Sequence, residues 1–355
     1  MSDNSNYLKK IVDRESLAEY LEARLGPADE FQISRHEQGH SNETLFLDWG
    51  EDYFVIRRPP PGATADTAHD VLREYRVITR LQDTHVRVPK TVLACEDHSV
   101  MGCDFYIVER ERGDVPRGGE PARFQSPDHR ERIGSELVRQ LATIHAVDYA
   151  AVGLDEIGKP EGYTTRQVER WHAQFEWAFE VTEPEREIPA VDEVAGWLDD
   201  EVPGSHQHTL VHGDYKLDNV MFGLGTPPEL TAVFDWEMST LGDPLTDLGW
   251  LLIYWQDDAE TDPPVPELMP TFLDREGYPS RREIVDRYEA VSGREFTNER
   301  FYRVLALYKL AALCEMFFRR HLEGNSDDPL YPKMRSRVPA LIDQAVRVID
   351  GDDLL

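Results

Sequence analysis

A polar segment interrupts an apolar part of the chain at residues 210–222, which read LVHGDYKLDNVMF. Asp214 and Asn219 lie in this segment, and Asp235 follows a second apolar run at 230–234. Carboxylate and amide oxygens suit Mg²⁺, which keeps several waters and takes further ligands from substrate phosphates. A neighbouring carboxylate can accept the proton of an attacking hydroxyl. This pattern therefore indicates phosphoryl transfer, which needs a metal, cationic help and one aligned proton acceptor.

The elements that must position these residues form two groups along the chain. Helical spacing of apolar residues predicts helices over 16–25 and 68–81. Short runs of β-strand type predict strands over 31–36, 44–48, 53–58, 91–96 and 105–109. From Ser126–Pro127, a capping residue followed by the proline favoured at the first helical position, helices dominate. They are predicted over 164–180, 190–201, 246–256, 281–291, 298–322 and 333–349.

Three motifs carry a resemblance to a known family. HGDxxxxN at 212–219, Asp-Trp-Glu at 235–237 and GDPLTDLG at 242–249 resemble the aminoglycoside phosphotransferase family, whose members are relatives of protein kinases. RRPPPG at 57–62 and REYRV at 73–77 are similar to the branch of that family that also occurs beside acyl-CoA dehydrogenase domains. The resemblance implies a bilobal, protein-kinase-like α+β fold. A small β-sheet-plus-helix lobe, residues 1–111, would bind the nucleotide, and a large, mainly helical lobe, residues 112–355, would carry catalysis and the substrate.

The resemblance also implies roles for the residues of the polar segment. Asp214 would be the catalytic base that orients or deprotonates the acceptor hydroxyl. Asn219 and Asp235 would hold Mg²⁺. Lys216 matches the lysine that neutralises the transferring phosphoryl group, with an ordinary solvated lysine as the alternative.

Two further groups near this segment have a structural interpretation and a functional one. Asp243 and Asp247 are expected to support the catalytic loop, with direct substrate contact as the alternative. His206, His208 and His212 have a spacing that would also fit a zinc site. The phosphotransfer pattern explains the region better than zinc does.

Two segments of the small lobe are expected to contact nucleotide by resemblance. Gly39, Ser41 and Asn42 lie between the first two strands, where a phosphate-covering loop belongs, although a plain hairpin would look similar. The run FYIVERERG at 105–113 resembles the hinge between lobes, where main-chain groups of Glu109 and Glu111 would meet the purine.

A strand and a helix supply the expected phosphate-binding cation. Alternation places Val55 and Arg57 on one face of the third strand. By resemblance Arg57 takes the place of the usual phosphate-pairing lysine, and Glu74 on the following helix would be its ion-pair partner. Arg58 is expected to point to the opposite face and to be solvated.

The overall charge excludes several classes of function. The chain has 38 Lys and Arg against 68 Asp and Glu, for a net charge of −30. A general nucleic-acid binder is excluded because phosphate backbones require a basic footprint, and an anionic membrane surface would repel the chain. The acids are spread along the sequence, which predicts a halophilic protein adapted to high ionic strength, with an ordinary acidic enzyme as the alternative.

Other features of the sequence favour a cytoplasmic protein. The N-terminus lacks the apolar core of a secretory leader, and the longest apolar run, 305–318, contains Lys309 and Glu315, so no transmembrane span is expected. Three cysteines are expected to be reduced thiols.

The sequence therefore predicts an ATP- and Mg²⁺-dependent phosphotransferase acting on a small hydroxylated metabolite. Five basic residues favour an anionic acceptor, with local pairing to surface acids as the alternative: Arg319, Arg320, His321, Arg335 and Arg337. A nucleotide-binding pseudokinase without turnover and a metal-dependent hydrolase that uses His206, His208, Asp214 and Asp235 are the competing interpretations. The acceptor, the choice between ATP and GTP, and the oligomeric state stay open.

Overall fold

The chain folds into two compact units. A computed structural model describes residues 2–36, 42–61, 70–117, 119–204, 207–255 and 263–351, and the side chains from residue 7 onward. The first unit consists of Met1–Gly113 and Thr231–Ser239, and the second of Asp114–Leu230 and Thr240–Leu355. The first is built on a sheet and the second is mainly helical, which confirms the predicted α+β class.

The first unit contains a five-stranded antiparallel sheet. The elements of this part of the chain are α1 (Ser2–Ile11), α2 (Arg14–Leu25), β1 (Phe31–Arg35), β2 (Glu43–Trp49), β3 (Asp52–Arg58), α3 (Val71–Leu81), β4 (Thr91–Cys95), α4 (His98–Met101) and β5 (Phe105–Glu109). The strand order in the sheet is β1-β2-β3-β5-β4. The strands and helices predicted between residues 16 and 109 are present, with their ends within three residues of the predicted ones.

The two faces of this sheet have different coverings. One face packs against α1 and α2 through alternate residues of β2, β3 and β5, which join Leu17 and Leu21 in one apolar cluster. Arg58 belongs to this covered face, where it is 6% exposed and its guanidinium donates to the carbonyl of Ile11. The expectation that Arg58 is solvated is therefore wrong, because α1, which the sequence did not reveal, covers the face to which alternation assigned it.

The helix α3 packs against β4 and β5. Its apolar residues Val77, Ile78 and Leu81 are buried, and Glu74 from the same side of the helix is buried with them. A carboxylate at such a place requires a partner, because burial removes the water that solvates its charge.

The second unit is organised around one long helix. The remaining elements of the chain are β6 (Gly113–Asp114), α5 (Pro127–His145), α6 (Tyr163–Thr182), α7 (Ala190–Asp200), β7 (Thr209–Val211), β8 (Val220–Gly223), β9 (Leu230–Val233), β10 (Thr240–Gly242), α8 (Leu245–Ile253), α9 (Arg281–Ser292), α10 (Glu299–Leu322) and α11 (Met334–Asp350). The helix α10 packs against α6, α7, α8 and α11, which explains why it is apolar on most sides. Within the part of the chain that the structure describes, no helix combines the length and apolar character needed to cross a membrane.

Local signals in the sequence set the ends of these helices. Ser126 caps α5 by accepting a hydrogen bond from the His129 amide over 3.3 Å, and Pro127 is the first helical residue. Ser280 and Glu283 form a reciprocal capping box at the start of α9. The six helices predicted after α5 are all present.

Candidate active site

The polar segment of the second unit alternates between buried and accessible side chains. Tyr215 and Leu217 are buried, and the Tyr215 hydroxyl donates to the carbonyl of Leu137 on α5 over 2.8 Å. Asp214 and Lys216, which alternate with these two residues, have 18% and 17% of their side-chain surface exposed, respectively. The apolar residues thus anchor the segment in the helical core, and this leaves the chemically useful side chains at the surface of the unit.

The Asp214 carboxylate accepts four hydrogen bonds from three side chains. Oδ1 accepts from Nε1 of Trp250 and from Nζ of Lys216, both over 2.8 Å. Oδ2 accepts from Nζ of Lys216 over 3.0 Å and from Nδ2 of Asn219 over 2.8 Å. Burial alone would raise the pKa of this carboxyl, but the ammonium groups of Lys216 and Lys309 outweigh it, and the pKa lies below its ordinary value.

Asn219 is held by the main chain as well as by the carboxylate. Its Nδ2 donates to the Asp214 carbonyl oxygen over 2.8 Å. With the amide nitrogen turned to Asp214 in this way, the side-chain oxygen Oδ1 faces away from it. An amide oxygen in this orientation suits a hard divalent cation such as Mg²⁺.

A buried carboxylate holds the turn before Asp214. Asp247 at the start of α8 accepts hydrogen bonds from the amides of His212 and Gly213, over 2.6 and 2.8 Å. Gly213 has a φ of 83°, a conformation that glycine adopts without strain. Nε2 of His145 lies 3.2 Å from Oδ2 of the same carboxylate. Through the two amides, Asp247 supports the loop as predicted.

Asp243 also has a supporting role. It accepts from the hydroxyl of Tyr302 on α10 over 2.7 Å and from the amide of Leu245 over 3.0 Å. It therefore ties the start of α8 to α10.

In the first unit, Arg57 forms the predicted ion pair and an additional one. Its Nη2 lies 3.6 Å from Oε2 of Glu74 and 3.3 Å from Oδ1 of Asp235, and its Nη1 donates to the Thr44 hydroxyl over 2.9 Å. Burial would lower the pKa of this guanidinium, but Glu74 above all, with Tyr106 and Asp235, raises it. The Nε atom of Arg57 is buried and has no hydrogen-bond partner among the described residues, so the guanidinium can accept an anionic ligand.

The segment that carries Asp235 is held by the REYRV motif on α3. Oε1 of Glu74 accepts from the Trp236 amide over 3.2 Å, and Arg73 donates to the carbonyl oxygens of Glu237 and Ser239. Asp235 has a φ of 65°, which is uncommon for a residue other than glycine and recurs at functional sites. The REYRV motif therefore has a structural role, because its Arg73 and Glu74 both hold the main chain that follows Asp235.

The predicted phosphate-covering loop falls mostly outside the described residues. Gly39 and Ser41 lie in the segment 37–41, which is not described. Asn42 is buried, and its Nδ2 donates to Oε2 of Glu237 over 3.0 Å. The end of the loop is thus connected to the Asp-Trp-Glu segment within the first unit.

The hinge-like strand uses two of its amides inside the sheet. The amide of Glu109 donates to the Lys90 carbonyl oxygen over 2.8 Å, and that of Arg110 donates to the Tyr53 carbonyl oxygen over 2.9 Å. The Glu109 side chain forms an exposed pair with Lys90, and burial raises the pKa of Glu111. A purine would therefore have to use other main-chain groups of this segment, such as those of Glu111.

Sequence reasoning missed two contributors to the surroundings of Asp214. Trp250 directly follows the GDPLTDLG motif without belonging to it, although its indole donates directly to the carboxylate. Lys309 on α10 was noted only as an interruption of an apolar run, although its Nζ donates to the carbonyl oxygen of Gly213. The signal that could have found Lys309 is its isolation, because a lone charge on a helix buried on most sides needs a partner.

Local pairing accounts for most of the predicted basic cluster. Arg319 pairs with Glu180 and Glu323 and lies over the ring of Trp177. The two later arginines contact acids of their own surroundings: Arg335 with Glu185 and Arg337 with Glu267. The alternative of local pairing therefore fits these arginines better than an anion site does.

The histidine cluster does not have the arrangement of a zinc site in the described residues. His206 lies outside them, and Nδ1 of His212 accepts the Asp214 amide over 3.2 Å, so this ring nitrogen is engaged with the main chain. No group of three or more His, Cys, Asp or Glu that could hold a metal ion occurs in the described ranges. All three cysteines, Cys95, Cys103 and Cys314, are free.

Comparisons with known proteins identify the family of this chain. A model of the phosphotransferase enzyme family matches residues 32–284. Acyl-CoA dehydrogenase family member 11 of Rattus norvegicus is 33% identical over 299 residues, which cover 83% of this chain and 37% of that protein. The chain thus spans well under half the length of this curated relative.

Solved structures show the same fold. A protein from Ralstonia eutropha, assigned to the aminoglycoside phosphotransferases, is 31% identical with a TM-score of 0.77, over 94% of this chain and 98% of that one. A spectinomycin phosphotransferase solved with ADP and spectinomycin is 11% identical with a TM-score of 0.58, over 95% of this chain and 99% of that one, and supports the fold alone. The fold is that of the protein-kinase-like phosphotransferases, with a small sheet lobe and a helical lobe. Because the family model matches well over half of the sequence, the chain belongs to the phosphotransferase enzyme family.

Proposed function

We propose that this protein transfers the γ-phosphate of ATP, with Mg²⁺, directly to a hydroxyl group of a small metabolite. In this reaction the acceptor oxygen bonds to the γ-phosphorus while the bond from that phosphorus to the bridging oxygen breaks and ADP leaves. The hydroxyl proton passes to the Asp214 carboxylate. No phosphorylated enzyme intermediate is required, because acceptor and donor react in line.

The hydrogen bonding of Asp214 is the observation that carries this proposal. A carboxylate that accepts from Lys216, Asn219 and Trp250 stays ionised and keeps a fixed orientation, as a base for a hydroxyl must. Lys216 provides two of the four hydrogen bonds, so movement of this one side chain towards a phosphate would open both carboxylate oxygens to the acceptor.

The residues of each unit fit the nucleotide and the metal ion. Arg57, with its unpartnered buried Nε, would hold phosphate oxygens, and the contacts of Glu74 with Arg57 and the Trp236 amide would orient it. We propose Asn219 and Asp235 as the protein ligands of Mg²⁺, which when bound neutralises the negative charge of the phosphates. Gly39, Ser41, Asn42 and Glu111 remain the proposed nucleotide-contacting positions, together with the main-chain groups of Glu109 other than its amide, which is engaged in the sheet.

The names of the relatives narrow the choice of the acceptor substrate. The matching part of an acyl-CoA dehydrogenase family member suggests an acceptor related to acyl thioesters. Hydroxy acids and their thioesters are therefore the first defined acceptors to test, before sugars, amino alcohols and antibiotics. A cytoplasmic location, where ATP is available and thiols stay reduced, is part of the proposal.

A metabolite-pool screen tests the proposal. The full-length protein, γ-labelled ATP, Mg²⁺ and high KCl are incubated with a cell extract freed of proteins, and the compound that gains label is identified. Asp214→Ala should lose transfer while binding ATP nearly as well as the wild type does, and Asp200→Ala, which changes an exposed acid at the end of α7, should behave as the wild type. Near-wild-type transfer by Asp214→Ala would show that the assigned base is wrong.

The same experiment separates the two competing functions. A pseudokinase would bind ATP but release no ADP with any acceptor. A metal-dependent hydrolase would contain a transition metal and work without ATP. The hydrogen bonds that Asp214 accepts from Lys216, Asn219 and Trp250 argue against the hydrolase, because they occupy a carboxylate that would have to bind the transition metal.

A further inference from the structure

A lysine outside every motif contacts the catalytic segment from α10. Lys309 lies in the run 305–318, which is otherwise apolar except for Glu315. Its Nζ donates a hydrogen bond to the carbonyl oxygen of Gly213, the residue before Asp214. Burial of an ammonium group is costly, and Lys309 has no ion-pair partner among the residues that the structure describes. Its presence is therefore not explained by packing.

The same ammonium group lies over the indole ring of Trp250. Nζ is 3.9 Å from the ring centroid, within the range of a cation–π contact. Trp250 is 2% exposed, and its Nε1 donates to Oδ1 of Asp214 over 2.8 Å. Lys309 therefore contacts both the main chain before Asp214 and a side chain that holds the Asp214 carboxylate.

We propose that Lys309 is a positioning residue for Asp214, which it keeps in one orientation through the Gly213 carbonyl and the Trp250 indole. The inference rests on the proposed function, because it takes Asp214 as the catalytic base. Lys309 acts through these two groups and does not donate a hydrogen bond to the carboxylate itself.

The charged groups around Lys309 make the contact sensitive to pH. Burial lowers the pKa of Lys309 to about 8. Asp214 of the catalytic segment and Asp247 of α8 raise this pKa through their negative charges. Lys216 of the segment and Arg170 of α6 lower it further. The positive charge over the Trp250 ring is thus lost as the pH rises through about 8.

Fluorine NMR of the full-length protein containing 5-fluorotryptophan tests the contact without any need for turnover. Trp250→Phe assigns the Trp250 resonance. We expect this resonance to shift with pH with a midpoint near 8 in the wild type, and to lose this titration in Lys309→Met. Arg319→Met is the matched control, because Arg319 lies on the same helix 3.8 Å from the Trp177 ring centroid and should alter the Trp177 signal alone.

A kinetic measurement tests the positioning role. With water as the probe acceptor and ADP release as the readout, Lys309→Met should lower kcat roughly 10- to 100-fold and change the KM for ATP less than about twofold. Lys309→Gln, which keeps a donor for the Gly213 carbonyl but loses the charge, should give an intermediate rate.

The outcomes distinguish failure of this inference from failure of the proposed function. A wild-type Trp250 resonance that is constant from about pH 6.5 to about pH 9.5 overturns the inference, even where Lys309→Met does not fold. Wild-type kcat in a folded Lys309→Met protein also overturns it. Absence of ADP release from the wild type with water and with the compounds of the metabolite pool, by contrast, bears on the proposed function, and the NMR titration still decides the contact.

Discussion

Arg57 contacts Asp235, with 3.3 Å between Nη2 and Oδ1, so the proposed phosphate-binding cation lies against the proposed metal ligand. In the absence of nucleotide this guanidinium offsets the charge that would otherwise attract a metal ion to Asp235. Phosphates that draw Arg57 away would leave the carboxylate more attractive to Mg²⁺. Nucleotide and metal should therefore bind cooperatively.

Arg57→Met is expected to separate the two binding events. Mg²⁺ should bind the nucleotide-free variant more tightly than the wild type, because the competing charge is gone, while ATP should bind roughly 100-fold more weakly. Isothermal titration of Mg²⁺ with and without a non-hydrolysable ATP analogue measures both effects. Arg76→Met, an exposed position on the same helix as Glu74, is the control, and an unchanged Mg²⁺ affinity in Arg57→Met would refute the competition.

Turnover should depend on pH mainly through a loss of activity at alkaline pH. The pKa of Asp214 is lowered by Lys216 and Lys309 in spite of burial, so the carboxylate is ionised at every pH above its ordinary value of 3.8. Lys309, with a pKa of about 8, loses its proton on the alkaline side. We expect kcat to be level from about pH 5 to about pH 7.5 and to fall above that. Single-turnover rates measured across this range check the profile. A rate that rises with pH between about pH 5 and pH 7 would contradict the assignment of Asp214.

Lys309 should also reduce stability at neutral pH. Its folded-state pKa of about 8 lies below the ordinary value of 10.5 for a lysine, so the unfolded chain binds the proton more tightly. The cost to folding is full below pH 8 and disappears as the pH rises towards 10.5. Lys309→Met should therefore unfold at a higher urea concentration than the wild type at pH 7, with a smaller difference near pH 10. A variant less stable at pH 7 would indicate that Lys309 is retained for stability.

Patterns local in sequence predicted the elements and the catalytic segment. Ser126–Pro127 marked the start of α5, and a short apolar run predicted β5 with its observed ends. The catalytic segment could be recognised because HGDxxxxN, a polar stretch between two apolar runs, is also a local pattern.

Features that depend on distant packing could not be predicted in this way. The environment of Arg58 required knowledge of α1, a ten-residue helix whose first five residues, SDNSN, are all polar. The contacts of Trp250 and Lys309 with the catalytic segment join residues far apart in sequence, where spacing carries no information. The main chain that follows Asp235, a residue with a positive φ, is likewise held by Arg73 and Glu74 on α3, far away in the sequence.

Asp247→Asn is expected to disturb the catalytic loop without changing side-chain volume. Both oxygens of Asp247 accept main-chain amides, from Gly213 and His212, and an asparagine would present its amino group to one of them. We expect a loss of roughly 1–3 kcal/mol in the free energy of unfolding and a fall in kcat of at least about tenfold. Urea denaturation and single-turnover kinetics measure the two effects. Asp243→Asn is the comparison, because Asp243 ties the start of α8 to Tyr302 of α10, so this change should affect stability more than rate.

The net charge of −30 should make stability depend on salt. At low ionic strength the acids repel one another across the surface, whereas molar salt reduces the screening length to about 3 Å and removes most of that repulsion. The melting temperature should therefore rise by about 5 °C or more between low and molar KCl, as a halophilic surface predicts. Sucrose at the same osmolality is the control, because it stabilises compact states without screening charge. A melting temperature that responds equally to sucrose and KCl would identify the chain as an ordinary acidic enzyme.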